Sequence, residues 1–150
     1  MGKLDKYSHN SHAIIRIVLS LVFLWFGTNQ LLHTETWVSF LPEWVFSLSM
    51  NPSSIIVMNG VLETILGLLL LFGVFTRLVS LILGLHLLSI AFTVGYNDVG
   101  VRDFGLGLIT LAISLHGQDS LSLDRKIKNS NLKNNILFRL GYIIDSKDDQ

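Results

Sequence analysis

No cysteine occurs among the 150 residues. That excludes a disulfide, a thiol redox couple, Cys-ligated zinc and a thiolate-held iron–sulfur cluster. Charge is scarce too: 15% of the residues are Asp, Glu, Lys or Arg, against about a quarter in a soluble domain. Proline appears twice, as Pro42 and Pro52, and both lie outside the long apolar runs. Nothing in this composition supports nucleic-acid binding. What is abundant is apolar: half the chain is hydrophobic and the mean hydropathy is +0.55. The chain reads as a one-domain membrane protein.

About 20 mostly apolar residues cross a bilayer core as a helix. Four segments qualify, at about 13–32, 54–75, 78–95 and 101–116. The last two are short and imply tilt or local bilayer thinning. The expected organisation is an N-terminal segment over 1–12, a transmembrane domain over 13–116 and a basic amphipathic tail over 117–150. The fold class is all-α: a polytopic four-transmembrane-helix bundle with interfacial amphipathic segments.

Ten of the eleven Lys and Arg residues precede or open span one, lie between spans two and three, or follow span four; only Arg102 lies on the other side. The positive-inside rule then puts both termini in the cytoplasm. Span one reads as an uncleaved anchor, since its apolar run is long and no small-x-small cleavage site follows it. Between spans one and two, Trp37, Phe40, Leu41, Trp44, Val45 and Leu48 recur at helical spacing. They suggest an amphipathic segment in the outer interface, with Trp37 and Trp44 as belt residues. Asn51-Pro52 supplies an N-cap and a first-turn proline for span two. In the tail, Leu132, Ile136, Leu137, Leu140, Ile143 and Ile144 form one apolar stripe beside Lys133 and Arg139, as an inner-surface helix would.

Each span carries one polar or small stripe on an otherwise greasy circumference. The sets are Arg16, Ser20, Gly27 and Gln30; Asn59, Glu63 and Gly67; His86, Ser89, Thr93 and Asn97; and Asp103, Gly107, Thr110 and Ser114. In lipid such stripes face neighbouring helices. At 1.5 Å per residue, Glu63 lies about 13 Å below the outer face and His86 about 12 Å above the inner one. Polar residues thus converge in the outer half on a cavity or a hydrogen-bonded plug. An intramembrane carboxylate is costly unless held, and Arg102, His86, Asn59 or its own proton could hold Glu63. The candidate site is Glu63, Asn59, His86, Arg102, Asp103 and Gln30. The competing reading is purely structural, with these groups only knitting helices together.

Catalytic signatures are missing: no HExxH, phosphate loop, dinucleotide fingerprint or nucleophile elbow occurs. His33, His86 and His116 lie at three depths, so no two are placed as axial ligands of one haem. No metal and no catalytic residue is expected.

Span two reads Gly60-x-x-Glu63-x-x-x-Gly67 and then Gly73-x-x-Thr76-Arg77. Span four opens with Arg102-Asp103-x-Gly105 and is followed by Leu121-Ser-Leu-Asp-Arg-Lys126; span one carries Leu21-Val-Phe-Leu-Trp-Phe-Gly-Thr-Asn-Gln-Leu-Leu-His33. Together these resemble the DoxX family of small four-helix membrane proteins over about residues 13–128. Gly27-Thr28-Asn29-Gln30 departs from that family's glycine-plus-lysine ending of the first helix. The resemblance implies a multi-pass protein of a prokaryotic cytoplasmic (inner) membrane, with Glu63, Arg77, Arg102 and Asp103 at the matching polar positions. Some relatives are subunits of quinone-linked oxidoreductases and others accompany redox-protective partners. The leading expectation is therefore a non-catalytic accessory subunit serving a redox or envelope-stress protein partner, or assembling as a homo-oligomer in the bilayer. The alternative is a quinone- or small-molecule-binding subunit of a membrane oxidoreductase, with Glu63 and His86 handling protons. A proton-coupled carrier is the weakest reading, because four helices without a clear repeat lack the two-half transporter plan. No cofactor is required, and a quinone is compatible.

Overall fold

The computed structural model describes residues 10–125; the expected C-terminal stripe from Leu132 lies outside them. Among the described residues run the α-helices α1 (Ser11–Leu32), α2 (Thr34–Val38), α3 (Pro52–Phe72), α4 (Thr76–Val94) and α5 (Asp98–His116), with a 3-10 turn at Glu43–Ser47. All but α2 are long and apolar enough to cross a membrane. At 1.5 Å per residue they span about 29–33 Å, matching a hydrocarbon core of about 30 Å. The protein is an all-helical four-helix membrane bundle.

Helix ends follow local chemistry. Asn51 Oδ1 accepts from Ser53 N–H at 2.9 Å and Pro52 occupies the first turn, so α3 starts two residues before the sequence-based span. Asn97 caps α5 in the same way through Gly100 N–H, at 2.9 Å, and starts that helix at Asp98 rather than 101. At its other end α3 stops at Phe72, short of residue 75. Gly73 turns left-handed at φ 66°, and the Val74→Leu69 and Gly73→Leu70 backbone bonds close a Schellman turn.

Two helix pairs make the bundle. α1 lies along α3 and α4 along α5, while contacts between the pairs are sparser. Glycines set the close approaches: a Cβ on Gly27 would meet Thr64 Oγ1 at 2.5 Å and Gly60 O at 2.9 Å. Phe23, Leu70, Val79, Leu83 and Leu87 form the core joining the pairs. The expected stripes of α1 and α3 are buried, or half-buried at Asn59, and those of α5 are buried down to a half-buried Ser114. On α4 the expectation is displaced. Its buried face is Thr76, Val79, Ser80, Leu83, Gly84, Leu87 and Ala91, whereas Ser89, Thr93 and Asn97 are exposed. Ser89 and Thr93 instead donate to the carbonyls of His86 and Ser89 on their own helix, at 2.6 and 2.7 Å, a local outlet open to any helical Ser or Thr.

At the end of the bundle where residues 10 and 120 meet, the segment after α5 straps the helices together. Arg16 is 1% exposed. Its Nε donates to Asp119 Oδ2 at 2.5 Å and its Nη1 to the Leu70 and Leu71 carbonyls at 2.6 and 2.5 Å. A cation thus sits against the carbonyls at the C-terminus of α3, the negative end of its dipole. Asp124 accepts from Phe75 N–H, Thr76 N–H and Thr76 Oγ1–H at 2.9, 2.7 and 2.9 Å. It caps the start of α4 from 48 residues away and holds Phe75 in the left-handed region at φ 50°.

A candidate binding site inside the bundle

Glu63 sits on the buried face of α3 and is 3% exposed. Two neutral amides hold it. Gln30 of α1 donates from Nε2 to Glu63 Oε2 at 3.1 Å, and Asn59, one turn earlier on α3, donates from Nδ2 to Glu63 Oε1 at 3.2 Å. Asn59 Nδ2 also donates to Gln30 Oε1 at 2.7 Å. Three side chains therefore close a ring across the α1–α3 seam. Glu63 and Gln30 reach one another because Gly27 and Gly60 let the two helices touch.

His86 approaches the ring from α4. Its Nε2 lies 3.8 Å from Glu63 Oε1, beyond hydrogen-bond distance, and is buried with no hydrogen-bond partner among the described residues. Arg102 is not the partner of Glu63. Its Nε donates to the adjacent Asp103 at 2.8 Å and its guanidinium lies 4.7 Å over the Phe26 ring, a cation–π arrangement. Asp103 is the buried member of that pair and Arg102 the exposed one.

Both polar groups face one cavity of about 270 Å³, formed where the helix pairs separate toward the α1–α3 loop. That is near the lower bound of small-molecule pockets, about 300 Å³. All four spanning helices contribute. Phe23, Phe26, Ile56, Leu87 and Leu106 make apolar walls, and Gln30, Asn59, Glu63, Ser89, Thr93, Arg102 and Asp103 are the polar lining. Five of the six residues selected from sequence thus border one space, with His86 behind Glu63. The segment between α1 and α3 also contributes Trp37 of α2, Phe40, Leu41 and Pro42, so Trp37, read from sequence as a belt residue, also packs against the bundle. Trp37 Nε1 donates to Asn29 Oδ1 at 2.9 Å and its ring meets Phe26 edge-on. No periodicity signals this, since the contact depends on how the loop folds back. Trp44, by contrast, is 57% exposed.

Chemically, the cavity offers aromatic and aliphatic walls, a carboxylate held by neutral amides and a second, self-compensated ion pair. That suits an uncharged, largely apolar molecule with a small polar head. These features define a multi-pass, four-helix membrane protein with an intramembrane cavity. The chain belongs to the DoxX family, whose family model matches residues 11–95. The match runs from α1 through α4 and includes Gln30, Asn59, Glu63 and His86; Arg102 and Asp103 lie beyond it. Comparison with curated proteins and with solved structures gives no match.

Proposed function

We propose that this DoxX-family protein is a non-catalytic accessory subunit of a prokaryotic cytoplasmic membrane that binds a quinone-class molecule for a redox partner. The observation that carries the reading is the cavity, in which the Glu63–Gln30–Asn59 ring faces apolar walls at mid-bundle depth. A flat ring with oxygen substituents would meet apolar walls that include Phe23, Phe26 and Leu87, with Glu63 and Arg102 as hydrogen-bonding groups on the same lining. A bound quinone would supply two-electron redox chemistry, and the protein's own residues would bind and orient it, with Glu63 and the adjacent His86 as the groups that would take up or release a proton. A structural role alone would account for the ring of side chains but not for the open space beside it. In the sequence, ten of the eleven Lys and Arg residues fall before or at the start of span one, between spans two and three, or after span four, which supports a cytoplasmic position for both ends.

The test is purification in native lipid, followed by mass spectrometry of retained lipids and proteins. A quinone-class molecule, quinone or quinol, should be retained by the wild type and lost from Glu63→Leu, which offers the head no polar partner, and a redox protein should be recovered with it. Wild-type protein free of any extracted quinone would sink the reading.

A further inference from the structure

Hydrogen-bond direction around Glu63 bears on which redox form enters. We propose that the cavity selects the reduced, dihydroxy form of its ligand, a quinol over a quinone; the inference rests on the quinone-class reading above. A carboxylate offers about four acceptor sites and no donor. Two are taken, by Gln30 Nε2 and Asn59 Nδ2. Asn59 uses both its N–H groups inside the ring, on Gln30 Oε1 and Glu63 Oε1, and Gln30 retains one. His86 Nε2 stops at 3.8 Å and fills none of the remaining acceptor positions. The head facing this ring therefore meets more lone pairs than N–H groups.

A quinone carbonyl carries lone pairs only and would set its oxygen against the carboxylate. A quinol hydroxyl donates to it in a short, charge-assisted bond. The hydroxyl oxygen also still accepts, so the same molecule can take a donor from the Arg102 guanidinium, whose Nε alone is committed to Asp103. A quinone satisfies the arginine but not the glutamate; a quinol satisfies both. Tighter binding of the reduced form raises the midpoint potential of the bound couple. A tenfold preference corresponds to about 30 mV for two electrons.

The experiment uses the full-length protein in lipid nanodiscs, with decylubiquinone or its chemically reduced quinol under nitrogen as probes. Ligand retained above that in empty discs is quantified by chromatography. The quinol should bind at least about tenfold more tightly than the quinone, the scale of one charge-assisted hydrogen bond. The di-O-methyl ether of the quinol lacks hydroxyl donors and should show no such advantage on wild-type protein, a control that needs no mutation. Glu63→Gln, whose amide can donate to a carbonyl, should abolish the preference. Equal retention of both forms, tighter quinone binding, or an ether that binds like the quinol would overturn selection of the reduced form while leaving the quinone-class reading standing. Retention of neither quinone nor quinol would overturn both.

Discussion

Arg16 and Asp119, separated by 103 positions in the chain, meet at 2.5 Å in a site where their side chains are 2% and 3% exposed. Together they tie α1, the end of α3 and the segment after α5 into one knot. Removing one member of a buried pair leaves the other charged and uncompensated, at a cost of about 3–5 kcal/mol. Arg16→Leu should fall in that range, because it also uncovers the Leu70 and Leu71 carbonyls. The double variant Arg16→Leu/Asp119→Leu should lose less than the two single changes combined. Chemical unfolding in mild detergent measures all three.

The same pair predicts a pH dependence. Burial pushes the Asp119 carboxyl up, but hydrogen bonds from Arg16 and the Leu121 amide, with the charge of Arg16, outweigh it and hold the pKa below its ordinary 3.8. A carboxyl depressed in the folded state adds stability that is complete above the unfolded value and is lost as the pH falls through the folded one. The stability difference between wild type and Asp119→Asn should therefore be constant above about pH 5 and shrink below 3.8. A difference that grows on acidification would contradict the assignment.

Two glycines should behave oppositely. A methyl at Gly27 meets Thr64 N at 2.8 Å and Gly60 O at 2.9 Å, which are backbone atoms that cannot step aside. Gly27→Ala should cost about 1–3 kcal/mol, the range for overpacking, and should loosen the Gln30–Glu63 contact across the same seam. At Gly105 nothing lies within 4 Å of the added methyl. Gly105→Ala should be neutral or stabilising by up to about 1 kcal/mol. Thermal melting of the two variants side by side decides this.

The stripes on α1, α3 and α5 are legible in the sequence because Gln30, Glu63 and Asp103 have no comfortable place against lipid, while Gly67 and Gly107 mark close helix contacts. α4 is less legible. Ser89 and Thr93 satisfy themselves on their own backbone, so their spacing does not mark a packing face. Glu63 can be recognised as needing partners, but not which ones: Arg102 is the obvious cation, yet it bonds the neighbouring Asp103 at 2.8 Å. Arg16 reads as a topology signal, and Asp119 as a loop acid. Their union depends on the chain returning to its start after α5, which no local pattern encodes.

Topology is open to direct labelling, because the sequence contains no cysteine and each introduced thiol reports alone. Cysteine at Asn10 and at Ser120 should be reached only from the cytoplasm, and cysteine at Ser47 only from outside, if ten of eleven basic residues set the orientation. External labelling of both 10 and 120, with 47 protected, would invert the protein. Opposite labelling of 10 and 120 would contradict the helix count.

Glu63 separates a structural knot from a working site. Gln keeps the size of the side chain and one oxygen acceptor, so one of the two amides that donate to different Glu63 oxygens, Gln30 or Asn59, keeps its bond. Glu63→Gln should therefore cost only about 0.5–2 kcal/mol, the scale of hydrogen bonds between helices in lipid, and the protein should reach wild-type abundance in the membrane. Glu63→Leu leaves Gln30 Nε2 and an Asn59 N–H without their acceptor in a buried setting and should be the less stable of the two. If the carboxylate serves only packing, Gln should support normal function. The quinone-class site predicts otherwise: a neutral amide cannot take up a proton or hold a quinol hydroxyl as a carboxylate does, so Glu63→Gln should fold normally and fail to complement a deletion strain. Complementation scored beside membrane abundance for both variants distinguishes the cases. Full complementation by Gln at wild-type abundance would remove Glu63 from the functional residues and leave the Glu63–Gln30–Asn59 ring as a helix-joining device.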